Sequence, residues 1–181
     1  LTDTGLINSP VISKIGKSYG TGSQLGYMKA SPKGDLLGIA LTGDKRFDLF
    51  DFDNSSGTVS NPRSSGNHYN FAYGLEFSPD ASKLYVTSDL GLHQYDLSTA
   101  LPGKPMGDSI FVRADPKVAI QLGPDGKIYC NEGYFLGVVS QPNKWCNGNA
   151  CSYTSKSLSL SNRFASAGLP TFMQSYFSPM F

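Results

Sequence analysis

Three cysteines, two histidines and a handful of carboxylates are the residues that could do chemistry here. Cys146 and Cys151 lie in the stretch WCNGNAC, with four residues between them. A Gly-Asn loop of that length brings two thiols within bonding distance. The two readings are a local disulfide, which implies an oxidising compartment, and a pair of partly buried thiols. No second Cys or His pair lies nearby, so the spacing does not make a zinc site, and no metal is expected. Cys130 ends a strand-like run and reads as a small core residue.

His68 and His93 are the two histidines. They fall at different places in successive sequence units, which gives no shared metal. His93 reads as a half-buried strand residue. His68 belongs to NHYNFAYG, and with Asn67, Tyr69, Asn70 and Tyr73 it reads either as a packed, satisfied loop or as an amide-aromatic cluster of the kind that binds sugars or peptides. Asp48, Asp51 and Asp53 in DLFDFDNSSG resemble a calcium loop only superficially. Counting from Asp51, position 6 is Ser56 and position 12 is Pro62, so the glycine and the bidentate acid are both missing. A strand end running into an Asx-type turn at Asp53 is the expectation. Glu76 and Glu132 are the acids nearest the inner strand of a unit. Glu76 alternates with Leu75, and outward exposure is expected for it. GTGS (20–23) and SSGN (64–67) lack the following helix that a phosphate cradle needs. No catalytic residue and no cofactor is expected.

The elements that position these residues repeat. Pro32, Pro79 and Pro124 are 47 and 45 residues apart, in SPKG, SPDA and GPDG. Phe50, Tyr95 and Ser140 mark a second feature at steps of 45 and 45. Two markers on one period near 45, with short strands in each unit, point to propeller blades. A first strand (LGYMKA, AYGLEF, KVAIQL) leads into the proline turn, then a second (LLGIAL, KLYVTS, KIYCNE), then a third (DLFDFD, LHQYDL, LGVVS). Proline presets φ in each turn, and Asp or Gly completes the reversal. Polar loops over 54–67, 98–109 and 142–153 then lead onward.

The fold class read from this is all-β: a β-propeller of four-stranded antiparallel blades. The units are roughly 1–24 (partial), 25–70, 71–115, 116–160 and a closing segment 161–181. Pro170 falls 46 residues after Pro124 and reads as a degenerate fourth unit. About four blades would be present, belonging to a larger propeller of six to eight, with the remainder N-terminal or in another fragment. The chain opens at Leu1 with neither an initiator Met nor a signal peptide, as a processed chain or a piece would.

Composition bounds the function. Hydrophobic residues make up 39% and charged residues 16%, which is globular. A net charge of +1 leaves no polyanion footprint, so nucleic acid is not an expected partner. No apolar run approaches the roughly 20 residues that cross a bilayer, so membrane insertion is not expected.

The ordered series GYMKASPKGDLL, DLFDFDNSSGTVSN, YGLEFSPDASKLYVTS, LHQYDLST, AIQLGPDGKIYC, LGVVSQPN and GLPTFMQSYF resembles the WD-repeat-like β-propeller regions of secreted and cell-surface Bacteroidetes proteins. Those proteins are associated with type IX secretion and gliding, and often carry PKD-type domains. The resemblance covers most of residues 26–177. It implies export through the periplasm to the surface or medium, and it implies no catalytic activity. Asp108-Ser109-Ile110 resembles the Asp-Ser/Thr-apolar O-glycosylation signal of such proteins, which marks Ser109. The expected role is a non-enzymatic binding or scaffold module, an adhesin or gliding-associated factor. Its partners would be other domains or fragments of the same propeller, and protein or glycan surface ligands. The alternatives are a lactonase-like hydrolase, which FSPDASKLYV and FDFD also resemble, and a structural spacer.

Overall fold

The structure is a computed structural model and describes residues 9–170 except Gln24, Asn67 and Lys117. Twelve strands form three separate four-stranded antiparallel sheets among the described residues. Sheet 1 holds β1 (Met28–Ala30), β2 (Leu36–Leu41), β3 (Arg46–Asp53) and β4 (Thr58–Ser64). Sheet 2 holds β5 (Ala72–Phe77), β6 (Lys83–Ser88), β7 (Gly91–Asp96) and β8 (Ser109–Arg113). Sheet 3 holds β9 (Ile120–Leu122), β10 (Ile128–Asn131), β11 (Phe135–Val139) and β12 (Tyr153–Ser159). In each sheet the strands lie in sequence order, and the first strand is one edge. Two short 3-10 turns, at Leu97–Thr99 and Asn147–Asn149, are the helical elements of the described residues.

The proline turns join the first two strands of each sheet and work by one mechanism. Backbone bonds Gly34 N–H to Ser31 O (2.9 Å), Ala81 to Ser78 (2.9 Å) and Gly126 to Gly123 (3.1 Å) close them. The closing residue is left-handed each time, with φ of 71° at Gly34, 57° at Ala81 and 74° at Gly126. Glycine takes that conformation freely, whereas Ala81 carries Cβ strain. In sheets 1 and 2 the turn serine adds a clasp. Ser31 Oγ accepts from Leu36 N (3.1 Å), and Ser78 Oγ accepts from Lys83 N (2.9 Å).

The sheets stack face to face over two cores. Phe47 and Leu49 of sheet 1 meet Leu75, Phe77, Leu84, Val86 and Tyr95 of sheet 2. Tyr85 and Leu92 of sheet 2 meet Ile120, Leu122, Ile128, Cys130 and Val139 of sheet 3. Both faces of sheet 2 are therefore covered. Threonines tie each sheet to the next: Thr42 Oγ1 donates to Ala72 O (2.7 Å) and Thr87 Oγ1 to Val118 O (2.6 Å).

Two expectations need correction. The polar stretch 54–67 is not simply a loop: it contains β4, in spite of Pro62. A proline is tolerated there because β4 is an edge strand, where a missing N–H can face outward. The second concerns residues 161–170, the described part of the expected closing segment, which form no strand. They cross sheet 3, with Ala165 N–H bonded to Gly133 O (3.0 Å) and Asn131 Nδ2 to Ser166 O (2.6 Å), and reach β1's approach, where Leu169 N–H donates to Tyr27 Oη (3.3 Å). The described residues hold three sheets, and residues 1–8 and 171–181 of the expected first and closing units lie outside them.

Candidate functional site

The first strands of the three sheets lie side by side, β1 against β5 and β5 against β9. Each carries a polar residue three positions before its turn proline: Lys29, Glu76 and Gln121. These three side chains meet. Lys29 Nζ donates to Glu76 Oε2 (3.0 Å) and to Gln121 Oε1 (2.6 Å). Glu76 Oε2 also accepts from Leu122 N–H (3.0 Å), and Oε1 from Phe77 N–H (3.0 Å). The Glu76 side chain is fully buried and that of Lys29 is 10% exposed. A charge pair removed from water this completely stands only with such bonding on both sides. Glu76 was expected to face outward. It is buried because both faces of its sheet are covered, so alternation with Leu75 exchanges one core for another.

A ring ladder leads away from this triad. Lys29 Nζ sits 5.4 Å from the centroid of the Tyr27 ring, a cation–π contact. Tyr27 and Tyr73 rings are 5.7 Å apart, and Tyr73 stacks on Phe71 at 5.4 Å and 6°. A backbone bond from Tyr27 N–H to Tyr73 O (2.9 Å) fixes the two strands at this point. All three rings are half-buried. Burial pushes the Tyr27 hydroxyl above the usual tyrosine range. The strip therefore offers aromatic faces and edges beside one cation.

The amide-aromatic cluster over 67–73 does not form one surface. Asn67 lies outside the described residues. His68 is exposed. Tyr69 is a core residue at 5% exposure, and its hydroxyl is hydrogen-bonded to that of Tyr95. Burial, with Tyr95 beside it, drives the Tyr69 hydroxyl far up. Asn70 is exposed and tied to Asp89, through Nδ2 to Oδ2 at 3.0 Å. Tyr73 alone of this group joins the ring ladder. Only Tyr73 lies in β5, which begins at Ala72; Tyr69 and Asn70 precede the strand and are drawn aside by Tyr95 and Asp89.

Cys146 and Cys151 form a disulfide, with Cα atoms 4.6 Å apart. The loop it closes interlocks with sheet 2. Gln94 Oε1 accepts from Cys146 N–H (2.8 Å), Gln94 Nε2 donates to Lys144 O (2.8 Å), and Tyr85 Oη donates to Pro142 O (2.9 Å). Cys130 is a free, buried thiol, pushed up by desolvation. Asp53 makes an Asx turn, accepting from Ser55 N–H (2.9 Å) and Ser56 Oγ (2.7 Å). The Ser55 and Ser56 hydroxyls hold its carboxyl at about 2. Ser109 is exposed at the start of β8, opposite Tyr95. No group of three metal-ligating side chains is found among the described residues.

The triad was legible in principle, since Lys29, Glu76 and Gln121 share one offset from the repeated proline. The ladder was not, because Tyr27 and Phe71 have no counterpart of their kind in the other units.

No family model matches the chain, and no curated protein does. Among solved structures, hydrazine synthase of Kuenenia stuttgartiensis is 18% identical, with a TM-score of 0.46 over 75% of this chain and 36% of its own. A protein of unknown function from Desulfotomaculum acetoxidans DSM 771 is 15% identical, with a TM-score of 0.48 over 83% of this chain and 48% of its own. The chain spans less than half the length of either.

Proposed function

We propose that the three sheets are consecutive blades of a larger β-propeller, and that the chain serves as a non-enzymatic binding or scaffold module of an exported surface protein. The observation that carries this is the meeting of Lys29, Glu76 and Gln121, one from the first strand of each sheet. Side chains at one repeat position converge when sheets fan about an axis. Further blades would cover the outer faces of sheets 1 and 3. Met28 on sheet 1 is 62% exposed, and apolar Leu136 borders an open groove of about 500 Å³ on sheet 3. The disulfide fits an oxidising compartment, which supports export.

The ligand-facing element in this reading is the ladder of Phe71, Tyr73 and Tyr27. Stacked rings beside a polar triad suit a sugar face or an extended peptide. Glu76 is engaged by a lysine and two backbone amides, which favours binding over acid–base chemistry. A glycan and peptide array probed with the native protein and with Tyr73→Ala tests the reading. The expected result is a defined set of ligands that the variant loses at unchanged melting temperature. Equal binding by the variant to every ligand would refute the role given to the ladder.

A further inference from the structure

A second cleft opens on the outer half of the molecule, away from the axis-side triad. It lies between β4 of sheet 1 and the loop 97–108 of sheet 2, and the N-terminal stretch around residues 16–17 forms its third wall. Its volume of about 480 Å³ falls within the roughly 300–1,000 Å³ of small-molecule sites. The walls are pinned. Met106 N–H donates to Ser64 O (3.0 Å), Arg63 Nη1 to Ala100 O (3.3 Å), and Ser65 N–H to Phe47 O (3.0 Å).

The side chains that line it are unbalanced in charge. Lys17, Arg63 and Lys104 face it together with His68, against one carboxylate, Asp48. Asp48 shares Arg46 with Asp44: the Arg46 Nε lies 3.2 Å from Asp48 Oδ1 and its Nη2 3.1 Å from Asp44 Oδ2. Arg63 is matched by Asp51. Lys17 and Lys104 are both exposed and have no ion-pair partner among the described residues, so the cleft keeps a positive excess. They stand on separate segments, so the fold, not the sequence, brings them to one cleft. A cleft lined by one sign of charge concentrates counter-ions more than scattered surface charges do.

We propose that this cleft binds an acidic sugar, a uronate or a sulfated hexose. Lys17 and Lys104 would hold the oxyanion, and the ring would lie along the proline-rich walls. The cavity is larger than a bare oxyanion fills, and Pro62 and Pro105 give it apolar walls that an inorganic ion leaves unused. The site is separate from the ring ladder and stands or falls independently of it.

The test is two-dimensional amide NMR of the whole chain titrated with D-glucuronate, N-acetylglucosamine 6-sulfate, glucose and sodium sulfate. An acidic sugar should shift the amide signals of residues 16–17, 64–66 and 103–104, and glucose should shift none of them. Sodium sulfate should bind at least about tenfold more weakly than the better acidic sugar. The double variant Lys17→Ala/Lys104→Ala should weaken binding at least about tenfold, the loss expected when a charge-assisted contact is removed. The control pair Lys33→Ala/Lys156→Ala, at exposed lysines elsewhere, should leave it unchanged. Absence of these shifts with both acidic sugars, equal binding of glucose, sulfate matching the acidic sugars, or an equal loss in the control pair would each overturn the proposal.

Discussion

Glu76→Ala tests how the three sheets are joined. The substitution removes a carboxylate with a fully buried side chain and strands Lys29, which is 10% exposed. It also takes the acceptor from the N–H groups of Phe77 and Leu122. Breaking a buried pair by deleting one partner costs about 3–5 kcal/mol. Lys29 keeps a bond to Gln121, which offsets part of that, while the two amides lose about 1 kcal/mol each. A net loss of about 4 kcal/mol follows. At about 2–4 °C per kcal/mol for a domain of this size, the melting temperature should fall by about 8–16 °C. Urea and thermal unfolding followed by circular dichroism read both quantities. The double variant Lys29→Met/Glu76→Leu should recover about half of the loss, because a packed apolar pair avoids the stranded charge but leaves the two amides without their acceptor. A loss below about 1 kcal/mol in Glu76→Ala would refute the view that this triad clamps the sheets together.

Three further outcomes follow from local geometry. Gly74→Ala should destabilise by more than about 2 kcal/mol, since its Cβ would lie 2.3 Å from Val118 O and 2.7 Å from Thr87 Oγ1, where sheets 2 and 3 are tied; urea midpoints measure it. Cys146→Ser/Cys151→Ser should cost about 2 kcal/mol for so short a loop, and thiol titration of the unreduced, unfolded wild-type chain should find Cys130 alone free. Burial lowers the His93 pKa, against a smaller opposing pull from Asp89. The unfolded chain therefore takes up a proton first. This contribution is favourable above about pH 6.5 and is lost as pH falls from there through the folded-state value. His93→Gln should flatten the stability profile between about pH 5 and 7, and an unchanged slope would contradict that assignment.

The strands that carry apolar or alternating runs were readable from the sequence, because Ser-Pro turns at Ser31 and Ser78 mark where they reverse. The fourth strands were not. TVSNPRS offers few apolar residues and a proline, and β4 is held by pairing with β3 and by Arg63's bonds to Asp51 and Ala100 O. Alternation misled at Glu76 for a physical reason. The rule that every second residue meets water assumes a sheet with one wet face, and sheet 2 has none. Tyr85 and Gln94, also fully buried, sit on the same hidden face. Contiguity misled at residues 68–73, because Tyr69 is drawn to Tyr95 and Asn70 to Asp89 before the strand begins at Ala72. What joins Tyr73 to Tyr27 is the register between two sheets, which no local pattern records.

The most direct test of the central claim is an experimental structure of the natively purified protein with any chain that accompanies it. The account predicts the first strands of all three sheets side by side about one axis, Lys29 between Glu76 and Gln121, and additional four-stranded sheets packed on the outer faces of sheets 1 and 3. Strands hydrogen-bonded continuously from one sheet into the next, or Lys29 and Gln121 far apart, would contradict it.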